Sequence, residues 1–98
     1  MDKEFCILND NPPYWRNKRF NGLERNEVFG GKNRKKSIED GLVVFLTPEQ
    51  HRIGKHSFHK DPKNKIWEEL RKEAEKQWCK YYNKTPEDFL KRYYKNYI

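Results

Sequence analysis

Three histidines, His51, His56 and His59, fall within nine consecutive positions, and a carboxylate, Glu27, stands on an apolar–polar run upstream of them. Imidazoles and carboxylates bind divalent cations and carry protons near neutral pH. Ligands spread over a hairpin and the helix after it can converge on one point, as a metal site requires. Residues 25–59 are ordered in that way: a strand, the Gly30-Gly31 turn, a basic loop, an apolar strand, and a capped turn of helix carrying His51. Each histidine also has a plainer use. His51 could serve as a cap or a surface residue, and His56 and His59 as structural or solvated loop residues.

The elements that must position these groups can be read in order. Residues 23–29 read as a strand ending at the two glycines. Residues 33–40 read as a polar loop with a helical turn at its end, where Ser37 and Asp40 stand at capping-box spacing. Gly41 opens a second strand over residues 42–46, a continuous β-branched and aromatic run that fits burial on both faces. Thr47-Pro48-Glu49-Gln50 is a helix start, with Thr as cap, Pro first and Gln three after the cap, and Gly54 ends that short helix.

Asp61-Pro62 starts a longer helix by the same logic. Within it Ile66, Trp67, Leu70, Ala74, Trp78 and Tyr81 recur at three- and four-residue steps and give one apolar face, while Glu69, Lys72, Glu73 and Lys76 offer neighbouring charge pairs. Asn83 closes the helix. Thr85-Pro86-Glu87-Asp88 opens a last one, with Phe89, Leu90, Tyr93 and Tyr94 as its buried side. Upstream, residues 5–8 could form a short strand that stops at Asn9-Asp10-Asn11-Pro12-Pro13. There is no internal repeat and no low-complexity segment. The expected fold class is a small α+β domain.

Composition bounds the rest. The chain has 98 residues, 34% of them hydrophobic and 15% aromatic, and a mean hydropathy of −1.33. Disordered chains are poor in aromatics, so a thin core of Trp, Tyr and Phe is expected, with Trp15, Trp67 and Trp78 among its candidates. Formal net charge is +7, which favours an anionic partner, nucleic acid being the commonest. Between Tyr14 and Lys36 stand eight basic residues, Arg16, Lys18, Arg19, Arg25, Lys32, Arg34, Lys35 and Lys36, against two acidic ones. Tyr14, Trp15 and Phe20 interleave with the first three, a mixture that suits base stacking beside phosphate contact. The alternatives are a solvated basic face and aromatics that plug the core. No apolar run approaches a membrane span, and the first ten residues lack the features of a signal peptide. Cys6 and Cys79 form no CxxC pair and read as free thiols of a reducing cytosol.

The run LERNEVFGGKNRKKS (residues 23–37), then GLVVFL (41–46), PEQHR (48–52), Phe58-His59, the long helix and the ending Asn96-Tyr97-Ile98 resemble a family of small phage-encoded HNH-like (ββα-metal) endonucleases. The likeness covers roughly residues 23–98. It implies an HNH-like ββα unit over residues 23–60, extended by two C-terminal helices over 61–98 and preceded by an irregular aromatic and basic segment over 1–22, all in a single domain. In such proteins the first strand carries a pair of which one residue helps hold the divalent ion and the next activates water. Here the matching pair is Asn26-Glu27. The resemblance makes Glu27 a ligand or base and His51 the helix ligand; His56 and His59 could supply further ligands from the loop, with His59 the one joined to Glu27 and His51 as the candidate metal set. Asn33 is the nearest candidate for the motif's central Asn, which orients the base. Arg34 and Lys35 would stabilise phosphate charge.

Asparagine is a weak ligand and carboxylate a poor base at neutral pH unless burial raises its pKa, so the site reads as eroded. Many relatives hold a structural zinc on two Cys pairs. The second pair's positions hold Thr47 and Gln50 here and only Cys6 lies near the first, so no structural zinc on four cysteines is expected. The implied cofactor is one divalent cation, Mg²⁺ or Mn²⁺. The implied partner is nucleic acid, with DNA ahead of RNA, or a host nucleic-acid-binding protein complex, in the host bacterial cytosol and away from membranes. Three functions follow: a metal-dependent endonuclease, a catalytically inactive inhibitor of a host nuclease or immune complex (anti-CRISPR-like), and a plain nucleic-acid-binding accessory protein.

Overall fold

The structure is a computed structural model and describes residues 23–98. Cys6, the expected strand at residues 5–8, the aromatics Tyr14, Trp15 and Phe20, and the cations Arg16, Lys18 and Arg19 lie outside the described residues. Strands β1 (Glu24–Glu27) and β2 (Val43–Leu46) pair antiparallel, with Glu24 opposite Leu46, Arg25 opposite Phe45, Asn26 opposite Val44 and Glu27 opposite Val43. Side chains alternate along a strand, so Glu24 and Asn26 share a face with Leu46 and Val44. Arg25 and Glu27 share the other with Phe45 and Val43.

Both faces of β2 are covered, as its unbroken apolar run requires. Val44 and Leu46 enter the main core, while Val43 and Phe45 pack with Ile38. Ile38 belongs to an element that the sequence understated. Residues 33–40 are not a loop with one helical turn: a 3₁₀ turn over Gly31–Asn33 runs into helix α1 (Arg34–Asp40). Arg, Lys and Glu are good helix formers, and cover for Ile38 against β2 supplies the tertiary contact that a short helix needs. Ser37 is not a cap. It is buried inside α1, where its hydroxyl donates to the Leu42 carbonyl and accepts from the Phe29 amide. Gly41 does not open β2 either; it closes α1 in the left-handed conformation at φ 79°.

Helix α2 (Lys65–Tyr82) starts at Asn64 rather than at Asp61-Pro62. The Asn64 side chain accepts from the Ile66 amide, and the Asp61 carboxylate is bonded instead to His56 and to the Asn64 amide group. Asn83 ends α2 at φ 54°, and Thr85 and Asp88 form the expected reciprocal cap of α3 (Pro86–Tyr93). Trp67, Leu70, Ala74 and Trp78 of α2 are buried, but Ile66 and Tyr81 are exposed. On α3 only Phe89 and Tyr93 are buried, and Leu90 and Tyr94 face outward. Positions four apart stack on one face of a helix, whereas the next residue is turned about 100° away.

Half of the main core is aromatic: Phe29, Phe58, Trp67, Trp78, Phe89 and Tyr93 join Val28, Leu42, Val44, Leu46, Leu70 and Ala74. The rings of Phe89 and Tyr93 stack at 4.5 Å, with Phe29 and Trp78 edge-on to Phe89 at 5.4 and 5.3 Å. Two buried carboxylates tie the helices together. Asp40 accepts from Trp78 Nε1, Tyr93 Oη and both Nε and Nη2 of Arg92. Glu75 of α2 accepts from the Tyr97 amide and from Asn96 Nδ2, which fixes the C-terminal Asn96-Tyr97 against that helix. Among the described residues no helix is long and apolar enough to cross a membrane.

Candidate functional site

The chain leaves β2 through Thr47, whose hydroxyl accepts from the Gln50 amide while Gln50 Oε1 accepts from the Thr47 amide. The expected capped turn is therefore present. It winds wider than an α-helix: Glu49–Ile53 is a π-type turn, closed by the Gly54 amide on the Glu49 carbonyl at 2.9 Å. Gly54 has an ordinary backbone conformation, but a Cβ there would lie 2.6 Å from the Glu49 carbonyl oxygen. The wide turn needs glycine for space.

The loop after Gly54 folds back on the turn. The Phe58 amide donates to the Gln50 carbonyl at 2.8 Å and the His59 amide to the His51 carbonyl at 3.1 Å. Phe58 anchors this return by packing edge-on to Trp67, whose Nε1 donates to the His56 carbonyl. The result brings two histidines together: His51 Nε2 and His59 Nε2 are 2.9 Å apart. His56 points elsewhere, to Asp61 at 2.8 Å.

The other nitrogen of His51 is held by a residue that sequence reasoning missed. His51 Nδ1 donates to Glu24 Oε1 at 2.8 Å, and Arg52 clamps the same carboxylate through Nε and Nη2 at 3.1 and 3.0 Å. Arg52 first, and then His51, hold the Glu24 carboxyl down at about 2. An ionised carboxylate only accepts, so His51 donates to it from Nδ1 and turns its Nε2 towards His59. Carboxylate–imidazole pairs of this kind orient metal-binding histidines. Partial burial, then the neighbouring His51, holds His59 below the usual imidazole range, which keeps its ring neutral at pH 7. Strand alternation and register carry the signal for Glu24, since it shares a face with Asn26 and lies opposite Leu46, beside the start of the His51 turn.

The remaining candidates are placed as follows. Glu27 lies on β1, near enough to His59 to act on its charge, and both its oxygens are engaged, by Arg25 Nε at 3.2 Å and Arg34 Nε at 3.0 Å. Asn26 is buried, and its Nδ2 has no hydrogen-bond partner. Asn33 donates from Nδ2 to the Tyr93 carbonyl at 3.0 Å, while its buried Oδ1 has no partner. It shares a cleft with His59 but is not bonded to either histidine of the pair. The basic residues are partly used within the fold. Lys36 donates to the Arg92 carbonyl and the Tyr94 hydroxyl, and the ammonium groups of Lys32 and Lys36 lie 4.7 and 4.2 Å from the Tyr94 ring centre. Lys35 is exposed.

No family model, curated protein or solved structure matches this chain. The chemistry of the site therefore rests on its own geometry. Two imidazole nitrogens 2.9 Å apart fit two neighbouring ligands of one ion, each of which would sit about 2.1 Å from it. Among the described residues no third His, Cys, Asp or Glu joins them in a closed cage. Catalytic zinc sites keep three protein ligands and one open position, and this pair supplies two ligands of that kind.

Proposed function

We propose that this α+β chain is an HNH-like ββα scaffold that acts on nucleic acid through a divalent cation held by His51 and His59. The observation that carries the reading is the pair of Nε2 atoms 2.9 Å apart, with His51 fixed from behind by Glu24. The basic balance of the chain supports a polyanionic substrate. A bound cation would polarise a phosphodiester and lower the pKa of a coordinated water.

The chain's own residues would do the rest. Glu24 and Arg52 fix the ring of His51, His59 presents a neutral ring beside it, and Glu27 stands at the strand position from which a base acts. Arg34 and Arg25 border Glu27 and would meet phosphate charge. Purified protein should nick plasmid or single-stranded DNA in Mn²⁺ or Mg²⁺, lose the activity in EDTA, and lose it in His51→Ala. Absence of cutting in every metal, by folded protein, would remove the nuclease reading.

One observation favours a second reading. Both Glu27 oxygens are already bonded to guanidinium groups, which opposes a free base. On that reading the scaffold is an inactive phage inhibitor that binds a host nuclease or immune complex. Charge reversal at Arg34, Lys35 and Lys36 would then abolish partner binding, while His51→Ala would not.

A further inference from the structure

Arg71 of α2 is half-buried and pairs with no carboxylate among the described residues. Its Nη1 donates to the Pro62 carbonyl at 2.7 Å, and its guanidinium lies 4.8 Å from the Phe58 ring centre. Glu68, three positions earlier on α2, acts on its charge without forming an ion pair, whereas the other arginines of the site region, Arg25, Arg34 and Arg52, are each paired with a glutamate. A cation kept in this way is suited to an anion that arrives from outside.

Two clefts meet at Arg71. One, of about 360 Å³, runs from His59 and Asn33 to Arg71 and Tyr97. The other, of about 600 Å³, continues from Arg71 and Tyr97 between Lys63, Lys72 and Lys95, with Glu68 as the one acidic side chain on its wall. Pro62, Arg71 and Tyr97 line both, so the two form one trough that begins at His59 and carries four cations against one carboxylate. Arg71 and Lys72 stand on α2, Lys63 just before it and Lys95 on the C-terminal tail. A positively charged groove that follows the backbone is how single strands are held.

We propose that this trough binds the phosphodiester backbone of a single nucleic-acid strand leading into the His51–His59 pair. Arg71 takes the phosphate nearest the histidines, and Lys63, Lys72 and Lys95 take those beyond it. The assignment rests on the nucleic-acid reading of the site but not on cleavage, so it can be tested without metal.

The test is fluorescence anisotropy of a labelled short single-stranded oligodeoxynucleotide with the full chain in EDTA. Arg71→Gln should weaken binding about tenfold and reduce the slope of log K against log salt by about 0.7, one single-strand phosphate contact. Lys72→Glu with Lys95→Glu, both on exposed positions, should weaken it at least as much, and keeps the test alive should Arg71→Gln unfold. Lys84→Glu with Lys91→Glu removes the same charge from a separate cleft beside Asp88 and should change affinity less than about twofold, because exposed charges beyond a Debye length are screened. Wild-type affinity in the Lys72/Lys95 variant, an equal loss in the Lys84/Lys91 variant, tighter binding to the matching duplex, or binding of an acidic polypeptide in place of the oligonucleotide would each overturn the proposal. Calorimetric Mn²⁺ titration of the same proteins separates the two ideas: strand binding without Mn²⁺ binding refutes the metal site and leaves the trough standing.

Discussion

His51 and His59 are joined twice, by a backbone hydrogen bond of 3.1 Å and by Nε2 atoms facing at 2.9 Å. The backbone bond makes the side-chain meeting a consequence of local folding rather than of loose loop placement. With Nδ1 of His51 committed to Glu24, Nε2 is the nitrogen that it turns to His59.

Glu24 sets that arrangement without touching substrate. Glu24→Gln keeps the shape but removes the charge that holds the His51 proton on Nδ1. Affinity for Mn²⁺ or Zn²⁺ should fall about 10–100-fold, the usual cost of losing an outer-shell partner, while the far-ultraviolet dichroism stays unchanged. Isothermal titration calorimetry reads the affinity, and an unaltered value would deny Glu24 this role.

Acid should loosen the same contacts in a defined window. The Glu24 carboxyl is held at about 2 against an ordinary 4.5. Between those values the unfolded chain binds the proton and the folded one does not, so stability falls as pH drops. The contribution is complete above about 4.5 and gone below about 2. Urea midpoints across that range should fall less steeply for Glu24→Gln than for the wild type.

His59 adds a second, milder dependence. Its pKa lies below the ordinary 6.5, so the unfolded chain takes up this proton first as pH falls from neutrality. The associated stability is present above about 6.5 and is lost as pH falls through the folded value. Metal affinity should follow the same course, flat above neutrality and declining in acid, and its failure to decline would exclude imidazole ligands.

Gly54→Ala tests the wide turn. The added methyl would sit 2.6 Å from a backbone oxygen that is itself hydrogen-bonded, so the turn must shift. A loss of about 1–3 kcal/mol in urea unfolding is expected, as for other overpacked sites, together with weaker metal binding as the histidines part. Wild-type stability would show that the turn can relax at no cost.

Asp40→Ala tests the fold without entering the site. It leaves the buried Trp78 and Tyr93 donors without their acceptor and leaves the half-buried Arg92 with only its 3.5 Å contact to Glu39. The expected cost is about 3–5 kcal/mol, a fall in Tm of more than about 10 °C for a chain of this size. A change under about 3 °C would mean that water replaces the carboxylate.

Local chemistry was legible where one or two side chains decide the backbone. Thr47 with Gln50, Thr85 with Asp88, Asn83 as a left-handed stop and the apolar run of β2 all stand as their residue types require. Reading failed where a distant partner competes for a side chain. Ser37 and Asp40 have capping-box spacing, yet Ser37 is drawn to the Leu42 carbonyl and Asp40 to Arg92, Trp78 and Tyr93. Asp61 likewise gives its capping role to Asn64 because His56 holds its carboxylate.

The sequence by itself determined that a strand, a capped turn with His51 and an aromatic helix face occur in that order, because periodicity and capping act over a few residues. It also placed the chemistry-bearing histidines within nine positions. Only the tertiary structure decided which of them meet. The return of residues 55–59 onto the π-type turn selects His59 and sends His56 to Asp61, and the strand register delivers Glu24 rather than Glu27 to His51. The return of the loop is anchored by Phe58 against Trp67 of α2 and the Glu24 contact by strand pairing, and spacing along the chain encodes neither.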